Sequence, residues 1–258
     1  MRKDPEIVKS LKRYLRQTWI YSVRQWVESH SPKGIKKQEK ILSFYSQFLT
    51  ANDLCFDVGA NIGNRTEIFS KLGVKTISIE PQQVCLKHLH KRFDDDINVT
   101  ILHTAVGEYE GYAELLVCED ASTISTLSNK WVANGRFSNE FQWNSKQSVP
   151  VTTLDNLIKD HGTPQFCKID VEGFELSVLR GMTQPIQVIS FEFNRELLDE
   201  TIECIEYLEH LGYKDFNYSI GESMELNSSG WLASRKIINA INSINDELLW
   251  GDIYARFT

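Results

Sequence analysis

Residues 53–82 read DLCFDVGANIGNRTEIFSKLGVKTISIEPQ. An apolar run, Leu54 to Val58, carries Asp57 near its end and passes into the glycine loop Gly59-Ala60-Asn61-Ile62-Gly63. An amphipathic segment through Leu72 and a β-rich run, Thr76 to Glu80, come next. The order is therefore strand, glycine turn, helix, strand. Gly59 and Gly63 permit a tight turn and let backbone approach a ligand at the helix N-terminus. Glu80, 21 residues after Gly59, ends the second strand where an acid can bind ribose hydroxyls. A nucleoside-type ligand is the expectation.

Charge decides which nucleoside. The third glycine of a G-x-G-x-x-G turn is missing, Asn61 stands where its second would be, and Asp57 adds negative charge, so an anionic pyrophosphate fits poorly. There is no GxxxxGK loop for a nucleoside triphosphate. S-adenosylmethionine, with a sulfonium and an ammonium beside one carboxylate, suits an acid beneath the turn and amide donors within it. The expected cofactor contacts are Asp57, Gly59, Asn61, Gly63, Glu80 and Pro81. Thr104 and Ala105 join them at the end of a third strand, Val99 to Val106, where small side chains leave room for an adenine edge. The competing reading is a doubly wound sheet whose glycine turn binds nothing.

At 258 residues, 41% hydrophobic and 24% charged, the chain reads as a soluble globular domain with an extension. No run approaches the apolar length of a membrane span, and a cytoplasmic location is expected. The net charge of −7 divides into +7 over residues 1–40 and −14 over the remainder, an acidic body that matches nucleic acid poorly. Cys55, Cys85, Cys118, Cys167 and Cys204 are scattered without CxxC spacing and are expected to be reduced, with no zinc site. Residues 1–50 are read as a basic helical extension and 51–258 as the main domain. The helix expected over residues 5–29 is favoured as a cap over the site; its alternative is a peripheral contact with an anionic membrane surface.

Further along, helices are expected at Gln38 to Leu49, Val84 to Phe93, Phe174 to Leu179, Arg195 to Leu211 and 234–242. Strands are expected at Tyr112 to Cys118, Phe166 to Val171, Val188 to Phe193, 213–219 and Asp252 to Phe257. Glu119 to Trp143 is a long polar loop in which Ser122, Thr123 and Ser125 are candidates to line a substrate entrance, with plain turn chemistry as the competing reading. Strands alternating with helices imply a mostly parallel α/β sheet covered on both faces.

Together FDVGANIG (56–63), SIEPQ (78–82), TAVGEYEG (104–111), VTTLDNLI (151–158), CKIDVEGFELSVLRGM (167–182) and ISFEFN (189–194) resemble the FkbM family of S-adenosylmethionine-dependent methyltransferases. The resemblance implies the class I methyltransferase fold, a Rossmann-like, seven-stranded sheet whose last strand runs antiparallel. It also implies O-methylation of a sugar, polyketide or lipid hydroxyl.

Methyl transfer to an aliphatic hydroxyl needs a positioned acceptor and a group that takes its proton. Asp170 and Glu172 fall at the carboxyl end of a central strand, where doubly wound sheets bind ligands. Asp170 is the first candidate base and also borders the cofactor; Glu172 is the second, with helix N-terminal stabilisation as its competing role. Glu192 is a third catalytic candidate, and Asn194 is a candidate substrate contact on the same side of the next strand. Asp170, Glu192 and Asn194 form a candidate oxygen-ligand set for Mg²⁺ or Ca²⁺, against the reading that they bond the acceptor or one another. His103 and His161 are read as structural or solvated. The competing functions are a nucleic-acid or protein methyltransferase of the same fold and a non-catalytic scaffold; the oligomeric state is left open.

Overall fold

The computed structural model describes residues 31–258, so the helix expected over 5–29, and its role as cap or membrane contact, lie outside the described residues. The chain divides into two compact units at residues 43 and 44. The first described element is helix α1 (Pro32–Tyr45). Pro32 opens it, since Pro tolerates the first helical turn, and the Ser31 hydroxyl accepts the Gly34 N–H at 3.0 Å.

The second unit is built on a seven-stranded sheet. Its strands are β1 (Leu54–Val58), β2 (Lys75–Ile79), β3 (Val99–Leu102), β7 (Phe166–Ile169), β8 (Val188–Asn194), β9 (Asp215–Ile220) and β10 (Trp250–Arg256). The spatial order is β3-β2-β1-β7-β8-β10-β9, and only β10 runs against its neighbours. Helices α2 (Asn64–Lys71), α3 (Gln83–Phe93), α5 (Leu154–His161), α6 (Glu175–Arg180), α7 (Leu198–His210) and α8 (Ser234–Ser243) connect the strands. Near-continuous apolar strands such as β7 and β8 are the pattern of a sheet buried on both faces. On one face Ile189, Phe191, Ile205, Leu208 and Ile237 form part of the main core. On the other, Phe48 stacks between Phe166 and Tyr254, with centroids 5.6 Å away in each case.

A second, three-stranded sheet departs from the sequence reading. The strand expected over Val99 to Val106 splits at His103-Thr104, and β4 (Ala105–Val106) leaves the main sheet to pair with β6 (Ser145–Thr152), which also pairs with β5 (Gly111–Val117). Pro150 argues against a strand at β6. It is tolerated because it stands one residue before β4 joins at Val151, so that edge has no ladder bond there to lose. The long polar loop holds a 3₁₀ turn, Ser122–Ile124, and helix α4 (Asn129–Asn134), whose buried Trp131 N–H is accepted by the Ser128 side chain at 3.1 Å. All five cysteines are buried and free. Among the described residues no helix is long and apolar enough to cross a membrane.

Candidate active site

A cavity of about 280 Å³ opens at the carboxyl ends of β1, β2 and β7. It is lined by Asp57, Gly59, Asn61, Glu80, Pro81, Thr104 and Ala105, and also by Ser122, Thr123, Asp170 and Glu172. The structure thus brings most of the residues singled out from sequence to one place. Gly63 is not among the lining. Its missing side chain serves packing: at φ +84°, an added Cβ would lie 2.4 Å from the Phe93 ring and 2.8 Å from Leu89.

Gly59 has a similar internal reason. With φ +80°, its absent Cβ would lie 1.9 Å from the Asp170 carbonyl oxygen, so the glycine admits the neighbouring strand's own backbone. The Asp170 N–H donates to the Val58 carbonyl at 3.0 Å and locks the two strand ends together. Asn61 takes the left-handed conformation, φ 51°, that Asn tolerates better than most residues, and its side-chain oxygen accepts the Ile62 N–H at 2.8 Å. This turn explains Asn in place of a second glycine.

Glu80 is the hub of the loop. Its two carboxylate oxygens accept the backbone N–H groups of Asn61 at 2.8 Å and Gln82 at 2.7 Å. Burial pushes its pKa up to about 7 against the opposing pull of those amide bonds. Asp57, also buried, accepts the Thr66 hydroxyl at 2.6 Å; burial raises its pKa, with Lys168 and Thr66 acting in the opposite sense. Gln82 turns its amide to the Ser125 hydroxyl at 3.0 Å and ties the loop after β5 to the Glu80 end of the cavity. Ser122 and Thr123 line the same cavity.

The middle of the sheet carries a polar row that pairing register predicts would share one face: Ser78, Asp57, Lys168 and Ser190 are successive partners across β2, β1, β7 and β8. Lys168 is buried and donates to Asp170 at 2.6 Å. Burial disfavours its ammonium, yet Asp170 and Asp252 more than offset this and hold its pKa above the ordinary lysine value. Sequence reading passed over Lys168, although a lysine inside Phe166-Cys167-Lys168-Ile169 two residues before Asp170 is the signal that marks it. Arg65 and Glu222 were also missed; they line the cavity and meet at 2.7 Å across 157 residues of chain, a juxtaposition no local pattern contains.

One row further, carboxylate oxygens of Asp170, Glu172 and Glu192 lie within 4.8 Å of one another. Glu192 pairs in register with Asp252 of β10. Burial, then the charges of Asp170 and Glu175, push the Glu172 pKa well above the usual carboxylate range; burial, then Glu172 and Asp170, do the same to Glu192. Glu172 sits at φ 54°, a conformation rare for this residue type, and its carbonyl is held by the Thr126 hydroxyl at 2.7 Å. Asn194 is buried and, with Glu192, Gly173, Glu175 and Thr201, lines a further small cavity. Glu175, whose carboxylate accepts the Val171 and Gly173 N–H groups, takes the helix-terminus role considered for Glu172.

The strand order, with one reversed strand next to the edge, and a cavity at the carboxyl ends of the parallel strands define the class I, Rossmann-like methyltransferase fold. The chain belongs to the FkbM family: the methyltransferase FkbM domain model matches residues 57–214. It is accordingly a methyltransferase of the S-adenosylmethionine type. The hexuronic acid methyltransferase AglP of Haloferax volcanii is 22% identical over 173 residues, which cover 66% of this chain and 67% of that one. Among solved structures, precorrin-6y C5,15-methyltransferase from Geobacter metallireducens matches with a TM-score of 0.46 at 13% identity, over 86% of this chain and 87% of that one. A TehB-like methyltransferase from Corynebacterium glutamicum matches with a TM-score of 0.47 at 8% identity, over 93% and 98%.

Proposed function

We propose that this protein transfers the methyl group of S-adenosylmethionine to a hydroxyl oxygen of a carbohydrate or similar small hydroxylated acceptor. The observation that carries the reading is a single cavity lined at one end by Asp57, Asn61 and Glu80 and at the other by Asp170 and Glu172. The donor set fits the cofactor. Asp57, Glu80 and Asp170 offer carboxylates to a ligand with two cationic centres, and Glu80 keeps a free lone pair on each oxygen for ribose hydroxyls after its two amide bonds. Pro81, Thr104, Ala105, Ser122 and Thr123 line the nucleoside side in this reading.

When bound, S-adenosylmethionine supplies a methyl group already activated by its sulfonium. The chain's own part is to position the acceptor, keep water away and take a proton. Asp170, with its side chain 39% exposed and its other flank fixed by Lys168, is the carboxylate that orients the acceptor hydroxyl and receives its proton. Glu172 and Glu192 surround it on the acceptor side. A sugar hydroxyl is the favoured acceptor because AglP is a hexuronic acid methyltransferase, and because the acidic cleft suits hydroxyl donors better than a phosphate backbone.

The test combines calorimetry with S-adenosylhomocysteine and a screen of hydroxylated sugars with methyl-labelled S-adenosylmethionine. The expected outcome is stoichiometric cofactor binding, with alkali-stable label on a neutral or acidic sugar. Label found only on nitrogen or on a nucleic-acid base sinks the oxygen assignment.

A further inference from the structure

The carboxylates of Asp170, Glu172 and Glu192 converge from the end of β7 and from β8 onto one point, with oxygens no more than 4.8 Å apart. Convergence of acids alone says little. Here it coincides with a second observation: Oε2 of Glu192 is sealed from solvent and no hydrogen-bond donor among the described residues reaches it. A buried carboxylate oxygen left without donor or cation is unfavourable, because it has lost water and gained no partner in exchange. Among the described residues, the nearby cations already have anionic partners. Lys168 is committed to Asp170 at 2.6 Å and also faces Asp252; Arg136 pairs with Glu196 at 2.8 Å and with the carbonyls of Leu248 and Leu249. Arg65 is taken by Glu222.

We propose that Asp170, Glu172 and Glu192 form a site for a hard divalent cation of calcium size, a proposal that rests on the methyltransferase reading only for its role and not for its existence. Three carboxylate oxygens with no nitrogen or sulfur among them are the donor chemistry of Ca²⁺ and Mg²⁺. Size separates the two. Oxygens held at 2.3 to 2.6 Å from Ca²⁺ lie at most about 5.2 Å apart, a range that contains the observed separations without movement. Around Mg²⁺, at 2.0 to 2.1 Å, the ceiling is about 4.2 Å, so only the shorter part of that range suits it. The cation enters from the main cavity, which Asp170 and Glu172 line, and Glu192 closes the site from behind. Its role for the acceptor follows from place: a cation beside Asp170 orients a vicinal hydroxyl and lowers the cost of removing its proton.

The experiment is calorimetric titration of chelator-treated full-length protein with CaCl₂, and separately with MgCl₂. The expected result is saturable 1:1 Ca²⁺ binding, weaker Mg²⁺ binding, and at least a tenfold loss of Ca²⁺ affinity in both Glu192→Gln and Glu172→Gln. Glu203→Gln, on the exposed surface, should bind as the wild type does. Absence of Ca²⁺ binding up to about 10 mM, beyond the range of weak extracellular sites, overturns the proposal. Unchanged binding in both Gln variants overturns it as well. Should a variant fail to fold, wild-type melting decides: Ca²⁺ is expected to raise the melting temperature where NaCl of equal ionic strength does not. S-adenosylhomocysteine titrated into the same sample keeps the two ideas apart, since cofactor binding without Ca²⁺ binding overturns the cation site alone.

Discussion

The two ends of the cavity treat their carboxylates differently. At the glycine-loop end, Glu80 and Asp57 are each met by donors from the chain itself: two backbone amides for one, the Thr66 hydroxyl for the other. At the β7–β8 end, Asp170 has Lys168, while Glu172 and Glu192 share the same pocket of charge and the buried Glu192 Oε2 has no hydrogen-bond donor among the described residues. The first end is complete before any ligand arrives. The second is left with negative charge that a proton, a cation or an acceptor must answer. A satisfied buried group rigidifies, whereas an unsatisfied one calls for a partner.

The largest effect should come from the unsatisfied end. Asp170→Asn keeps size and removes charge, so kcat on a confirmed acceptor is expected to fall about 10² to 10⁴-fold, with cofactor affinity within a few fold of wild type. Turnover near the wild-type level would break the comparison by making Asp170 structural.

Next comes the seam between the ends. Gly59→Ala puts a methyl group 1.9 Å from the Asp170 carbonyl at φ +80°, and should cost about 3 kcal/mol or more of unfolding free energy, read from urea denaturation. A loss below about 1 kcal/mol would show that the two strand ends are less tightly coupled than they look.

At the satisfied end, Glu80→Ala should weaken S-adenosylhomocysteine about tenfold or more if Glu80 holds the ribose as proposed, since charge-assisted bonds would be lost together with the two amide bonds. The same residue gives a pH test. Its pKa rises on folding from 4.5 to about 7, so the folded state binds the proton more tightly. The stability it contributes is present in full below pH 4.5 and is lost as pH rises through about 7. Cofactor affinity should move the other way, climbing through the same interval as the carboxylate ionises, and Glu80→Gln should flatten that climb. The buried acid Glu175, also near 7, contributes to the stability slope but not to the affinity slope.

The smallest effect is expected at Asn61→Gly. Glycine relieves the left-handed strain at φ 51° while losing the bond from the Ile62 N–H, so melting should shift by less than the equivalent of about 1 kcal/mol. A large loss would mean that the Asn61 side chain, and not its backbone, organises the turn.

The sequence by itself determined the βαβ unit, the acid at the end of β2, the paired acids after β7 and the alternation that makes the sheet parallel. Those signals are local: periodicity, glycine at a turn, and an acid at a fixed distance from it. Only the tertiary structure decided that β4 leaves the main sheet to pair with β6, because Pro150 and the polar Ser145–Ser148 stretch give no strand pattern until their partners are in place. It also decided why Gly59 and Gly63 are glycines, since their neighbours, the Asp170 carbonyl and the Phe93 ring, come from distant parts of the chain. The charge network was the least legible part. Lys168 with Asp170 is visible as an i, i+2 pair on a strand, but Arg65 with Glu222 and the closing of Glu192 onto Glu172 depend on side chains meeting across strands, where low dielectric and burial, not spacing, set their energies.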